Sequence, residues 1–82
     1  MPTISAFYGL TVTMHFNEHL PPHVHILHDG KSAVVLIETG EIYIGALKPQ
    51  AARMAREWVL LHKQELMELW TTQEFRTIKP LE

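Results

Sequence analysis

Leu10, Val12, Met14 and Phe16 alternate along the chain with Thr11, Thr13, His15 and Asn17. A period of two marks a half-buried strand, with its apolar face on a core and its polar face toward solvent. Upstream, residues 3–8 are apolar-rich and stop at Tyr8-Gly9, which reads as a turn. The alternation resumes at His23, with His23, His25 and Leu27 on one side and Val24, Ile26 and His28 on the other. Asp29-Gly30 follows, a strong hairpin-turn signal. Residues 32–38 form a largely buried strand, Thr39-Gly40-Glu41 a second tight turn, and Ile42 and Ile44 with their neighbours one more strand ending near Leu47. Glu18-His19-Leu20-Pro21-Pro22 cannot be a central strand. Its two prolines lack backbone donors, and Leu20 is pushed to an extended conformation by the proline after it. This segment is a stiff extended loop.

The period changes at Lys48-Pro49. Pro49 suits the first turn of a helix, and no Gly or Pro follows between Gln50 and Glu74. Ala52, Met54, Ala55, Trp58, Val59, Leu61, Leu66, Leu69 and Trp70 share about half of the helical circumference at about 3.6 residues per turn. One long amphipathic helix is predicted, or two with a shallow bend. Leu60 and Met67 fall outside the arc, so their exposure would indicate a partner or a second copy on the outer helix face. Residues 77–81 have room for a short edge strand, because Pro80 is tolerated at an edge. The expected fold is α+β: a small antiparallel β-sheet of four to five strands, followed by one long C-terminal helix packed on one face. Residues 1–82 make a single domain. The other face of the sheet stays open to water, a protein partner or a second copy, which would make a homo-oligomer.

Composition narrows this picture. The chain has 82 residues, 46% of them apolar, so a packed core rather than disorder is expected. It has no cysteine, so disulfides do not hold it together. Its net charge is -2, which gives no general attraction to nucleic acid or anionic membrane. No apolar run is long enough for a membrane span, and the first residues lack the pattern of a signal peptide. A cytoplasmic protein is expected. The unusual feature is histidine: there are 6, and five stand at positions 15, 19, 23, 25 and 28.

From Asn17 to His25 the chain reads Asn-Glu-His-Leu-Pro-Pro-His-Val-His. With Met1 to Ile4, Asp29-Gly30, Thr39 to Glu41, and Glu57 to Leu66, this run closely resembles the bacterial family called domain of unknown function 4160. Members resemble components of two-gene cassettes, beside a small protein of the type called domain of unknown function 2442. Such pairs look like toxin–antitoxin modules. The resemblance therefore implies a protein partner encoded by the neighbouring gene and, less directly, a toxic activity. Glu18 stands where the family usually has Asp. His15 and His28 stand where it commonly has an aromatic residue, and both are set aside as site candidates.

His23 and His25 are two apart on a strand, so their side chains leave the same face roughly 6–7 Å apart. Two imidazoles so placed can share a metal ion, and His19 before the proline pair is a candidate third ligand. Three imidazoles with an open position suit a catalytic zinc, and imidazole also suits nickel, copper or iron. The metal would be a divalent transition ion. Without a metal, the same histidines suit acid–base chemistry on a phosphodiester, with RNA as substrate. A third reading makes them structural, bonded to each other and to the loop. Helical projection places His62 within the apolar arc, with Glu65 three residues later at its edge. Both need polar partners if buried. They are expected to approach the face carrying His23 and His25, where Glu65 would orient a ring nitrogen or act as base. The candidate catalytic set is thus His23, His25, His62 and Glu65, and the candidate metal set His19, His23 and His25.

Other features have ordinary explanations. Lys48, Arg53, Arg56 and Lys63 are interrupted by Glu57 and Glu65 and read as a solvated helix face. Trp58 and Trp70 read as core. Phe7, Tyr8 and Phe16 suit core packing or a partner surface. No phosphate-binding glycine loop, Ser or Cys nucleophile arrangement or zinc-finger spacing is present. Two functions remain: a histidine-dependent, nuclease-type toxin, with or without metal, and a non-catalytic module that docks its cassette partner.

Overall fold

The computed structural model describes residues 3–15 and 17–81. Five strands come first: β1 (Thr3–Phe7), β2 (Leu10–Thr13), β3 (His23–His28), β4 (Lys31–Leu36) and β5 (Ile42–Gly45). They form one antiparallel meander in the order β1-β2-β3-β4-β5. Two helices follow, α1 (Pro49–Leu61) and α2 (Lys63–Thr72). The α+β architecture expected from the pattern is the observed one.

The hairpins turn where the sequence signals them. Tyr8 and Gly9 have φ of 46° and 81°, and Asp29 and Gly30 have φ of 50° and 75°. Two consecutive positive-φ residues make the turn whose twist matches paired strands. The second residue is glycine in both because it has no Cβ to strain there. Strands β2 to β4 then sort their residues by parity, whereas β5 is exposed along its whole length. Leu10, Val12, Val24, Ile26 and Val35 are buried, and they join Ala51, Ala55, Trp58, Val59, Leu66 and Leu69 of the helices in one core. Phe16, the last apolar residue of the first alternation, lies outside the described residues.

The helical region departs from the expectation of one long helix. It breaks at His62, whose φ of -109° and ψ of 22° leave the helical range. Continuity in hydrogen bonding survives, with the His62 amide on the Trp58 carbonyl and the Leu66 amide on the His62 carbonyl. Geometry supplies the reason. The 13 residues of α1 already span about 20 Å at 1.5 Å per residue, and a straight continuation would run past a sheet of this size. The bend returns Leu66 and Leu69 to the core. It also shifts the apolar arc from the ideal projection. Ala51 rather than Ala52 is fully buried, and Leu61, just before the bend, is 66% exposed. Leu60 is exposed as expected, whereas Met67 packs partly against the core.

The tail does not form the expected edge strand. Its amide at Ile78 donates to the Ile4 carbonyl (2.8 Å), and Ile78 is buried. Pro80 has no amide with which to continue a ladder. The tail instead closes one end of the core, where the Trp58 indole N–H donates to the Lys79 carbonyl (2.9 Å). No helix among the described residues is long and apolar enough to cross a membrane.

Trp58 is fully buried between sheet and tail, so its truncation opens a large cavity. Trp58→Ala should lower unfolding free energy by about 3–5 kcal/mol, read from urea melts followed by circular dichroism.

Candidate functional site

The helices cover one face of the sheet, and parity places His23 and His25 on the other. The rows of paired residues define that face: Thr13 opposes His25, His25 opposes Val34, and Val34 opposes Ile44. His23 opposes Leu36. Val24 and Ile26, between and beside the two histidines, point to the core and are fully buried.

The segment before β3 folds back over this face. Asn17 adopts φ of 56°, a left-handed conformation that asparagine tolerates, and its amide donates to the Gln73 side-chain oxygen at the end of α2 (3.0 Å). At the other end of the loop the Pro22 carbonyl accepts from the Ile37 amide (3.1 Å). Trp70 of α2 packs on the His23 ring with centroids 5.1 Å apart. The loop is therefore held at both ends.

Glu18 lies at the centre of what this fold-back creates. The His25 Nε2–H donates to Glu18 Oε1 at 2.7 Å. The same oxygen is 3.8 Å from His15 Nδ1 and 3.8 Å from His23 Nε2. The His15 and His25 rings stack at 4.2 Å, and the His23 and His25 rings meet edge to face at 5.2 Å. The outer nitrogens of two rings are engaged elsewhere. His23 Nδ1–H donates to the Pro21 carbonyl (2.8 Å), and His15 Nε2 meets the Thr13 hydroxyl at 3.4 Å. The His25 hydrogen bond holds the Glu18 carboxyl below its ordinary range. Desolvation, with the neighbouring His25 charge second, holds His15 below its own.

Beside this cluster is an open cleft of about 250 Å³, lined by Glu18, His23 and His25 and by apolar groups that include Leu20, Val34, Tyr43 and Ile44. Tyr43 and Ile44 are both more than half exposed. Neither lysine nor arginine lines it.

A family model for a domain of unknown function, number 4160, matches residues 9–71. The chain belongs to that family. No curated protein and no solved structure matches it. The matched span takes in the histidine loop, strands β2 to β5 and nearly all of the two helices. In this member of the 4160 family, then, the Glu18 cluster and Trp70, which packs on His23, both lie within the matched span, and the Gln73 anchor lies just beyond it.

The candidate residues separate into two groups. His23 and His25 come together. His19 lines the same cleft and is exposed, and among the described residues it has no ion pair with Glu18. His15, set aside on sequence grounds, stands in the cluster. Glu18 went unassigned although it was in view. An acidic residue three after His15 and seven before His25 was the available signal, but only the fold-back places it between them. His28 points to the helix side by parity and packs under Gly9, where an added Cβ would sit 3.5 Å from its ring.

His62 and Glu65 do not join His23 and His25. His62 Nδ1–H donates to Glu65 Oε1 (2.9 Å), the His62 ring packs on Trp58, and Glu65 pairs with Arg76. Among the described residues no hydrogen bond or ion pair links them to the Glu18 cluster. The reason is again parity. His62 leans on a tryptophan buried beneath the covered face, whereas His23 and His25 leave the opposite one.

The His62 hydrogen bond, with Arg76 adding less, depresses the Glu65 pKa from 4.5. His62→Leu should return it toward that value in a carboxyl-carbon NMR titration. A carboxylate depressed in the folded state stabilises the fold above its unfolded pKa, and that contribution fades as pH falls through the folded value. The wild type should therefore lose more stability than His62→Leu between about pH 5 and pH 3.

Proposed function

We propose that this domain is a histidine-dependent hydrolase of nuclease type, acting as the toxic half of a two-gene toxin–antitoxin-like module in the bacterial cytoplasm. The observation that carries the reading is the convergence of three imidazoles on the Glu18 carboxylate beside an open cleft. Cleavage of RNA at a phosphodiester needs one group to take a proton from the attacking hydroxyl and another to supply one to the leaving oxygen. His23, whose Nδ1–H is committed to the Pro21 carbonyl, presents Nε2 as the base. His25, oriented by Glu18, is the acid, in the manner of a histidine held by a carboxylate. With no lysine or arginine in the cleft, the charge of a scissile phosphate falls to these rings or to a bound cation.

A second reading rests on a different observation. Leu20, Leu27, Tyr43 and Ile44 are large apolar side chains exposed on or beside the open face. Exposed apolar groups gathered in one region mark binding surfaces. In this reading the domain docks the small protein of the 2442 type encoded beside it, and the histidines hold the loop in shape.

Inducible expression with and without the neighbouring gene separates the two. Wild-type chain alone should slow growth, and purified protein should cleave single-stranded RNA at a rate that falls about 10²–10⁴-fold in His25→Ala. Unchanged growth together with intact RNA would overturn the nuclease reading. Equal growth inhibition by wild type and His25→Ala would transfer support to the docking module.

A further inference from the structure

We propose that His15 Nδ1, Glu18 Oε1 and His25 Nε2 bind one divalent first-row transition ion, with His19 outside the ligand set. The proposal concerns occupancy of the cluster and is tested independently of RNA cleavage; with an ion bound, His25 Nε2 is a ligand and the proton it shares with Glu18 in the metal-free site is displaced.

One donor atom from each of His15, Glu18 and His25 lies within 4.8 Å of the other two. Two imidazoles and one carboxylate are a donor set used by zinc and by iron(II) in open sites. No cysteine is present to offer a softer alternative. A tetrahedral ion about 2.0–2.1 Å from each donor sets the donors about 3.4 Å apart. The observed Glu18–His25 and Glu18–His15 separations, 2.7 and 3.8 Å, lie on either side of that value. Shifts of a few tenths of an ångström would admit the ion.

The orientation of the rings supplies a second argument. One proton, shared between His25 and Glu18, accounts for one of the three approaches to the carboxylate. At 3.8 Å the other two are too long for hydrogen bonds. Yet both rings are turned to make them, because their opposite nitrogens are held by Thr13 and by the Pro21 carbonyl. Of these two, His15 belongs to the proposed ligand set, and it is fixed as metal-binding histidines typically are, with the outer nitrogen on a neighbouring polar group and the inner one aimed at the site. His23 Nε2, 3.8 Å from Glu18 Oε1, stays beside the set and outside it. Two of the three proposed ligands, Glu18 and His25, also line the cleft with Tyr43 and Ile44.

His19 differs. It is exposed at the rim, and Pro21 and Pro22 stiffen the chain between it and β3. In place of His19, the geometry selects His15, two residues beyond β2.

The test uses the full chain, stripped with chelator and titrated with zinc alone, with cobalt as an optical probe. The expected result is one equivalent of zinc and a cobalt d–d spectrum. Affinity should fall at least tenfold in His15→Ala and in Glu18→Gln, and remain at the wild-type value in His19→Ala and His62→Leu. Glu18→Gln is nearly isosteric and part-exposed, so it reports on the site even if His15→Ala weakens the fold, and thermal melts accompany each variant. Failure of the stripped wild type to take up zinc, cobalt, nickel, manganese or iron(II) would overturn the proposal. So would retention of wild-type affinity in Glu18→Gln, or loss in His19→Ala with retention in His15→Ala. Metal content is read directly, so zinc binding without RNA cleavage would sink the nuclease reading alone.

Discussion

A sheet covered by helices on one face only must sort its residues by parity, and the rest of this structure depends on that sorting. Along β3 it sends Val24 and Ile26 to the core and His23 and His25 to the open side. The apolar pair is what anchors the strand, because burying such side chains contributes roughly 1.5–3 kcal/mol each. The histidines inherit their position from this packing. A slip of one residue in the pairing of β3 would bury both rings and expose both aliphatic residues. The site is thus fixed by hydrophobic burial on the side of the strand that faces away from it.

The second determinant is the loop from Asn17 to Pro22. The rigid proline pair stiffens it, and its ends are tied to two different elements. Asn17 is held by Gln73, 56 positions away at the left-handed cap of α2, and Pro22 by Ile37 beyond β4. Trp70 completes the arrangement by packing against His23 from the same helix. The bend at His62 therefore matters to a site that His62 does not touch. A helix that ran on straight would carry Trp70 and Gln73 away from the loop they support.

The polar cluster at this junction sits at an intermediate depth. Glu18 and His25 are partly exposed, while His23 is 8% exposed and shielded by Trp70. A carboxylate in such surroundings keeps its charge because an imidazole N–H supports it, and the apolar rim of Leu20, Val34, Tyr43 and Ile44 limits screening by water. An open, partly desolvated group of titratable side chains beside a cleft is the usual setting for chemistry or ligand binding. The same rim explains why a docking surface is the competing reading, since its apolar groups would otherwise face water.

The sequence by itself determined the strands, their turns, the meander order and the face that carries His23 and His25. Those features are local: a period of two, paired positive-φ turn residues and two prolines act through neighbours a few positions apart. It also marked the histidine stretch as the candidate site. Tertiary structure alone decided which of those histidines converge. It brought in His15 and Glu18, left His19 at the rim and kept His62 with Glu65 elsewhere. It also split the helix and left the tail without the edge strand, its Ile78 amide bonded to the Ile4 carbonyl. Each of these outcomes depends on where a segment lies relative to another far away in sequence, such as the fold-back held by Gln73 or the limited width of the sheet beneath α1. Periodicity reports the face from which a side chain leaves its own element, and only packing between elements establishes which side chains meet there.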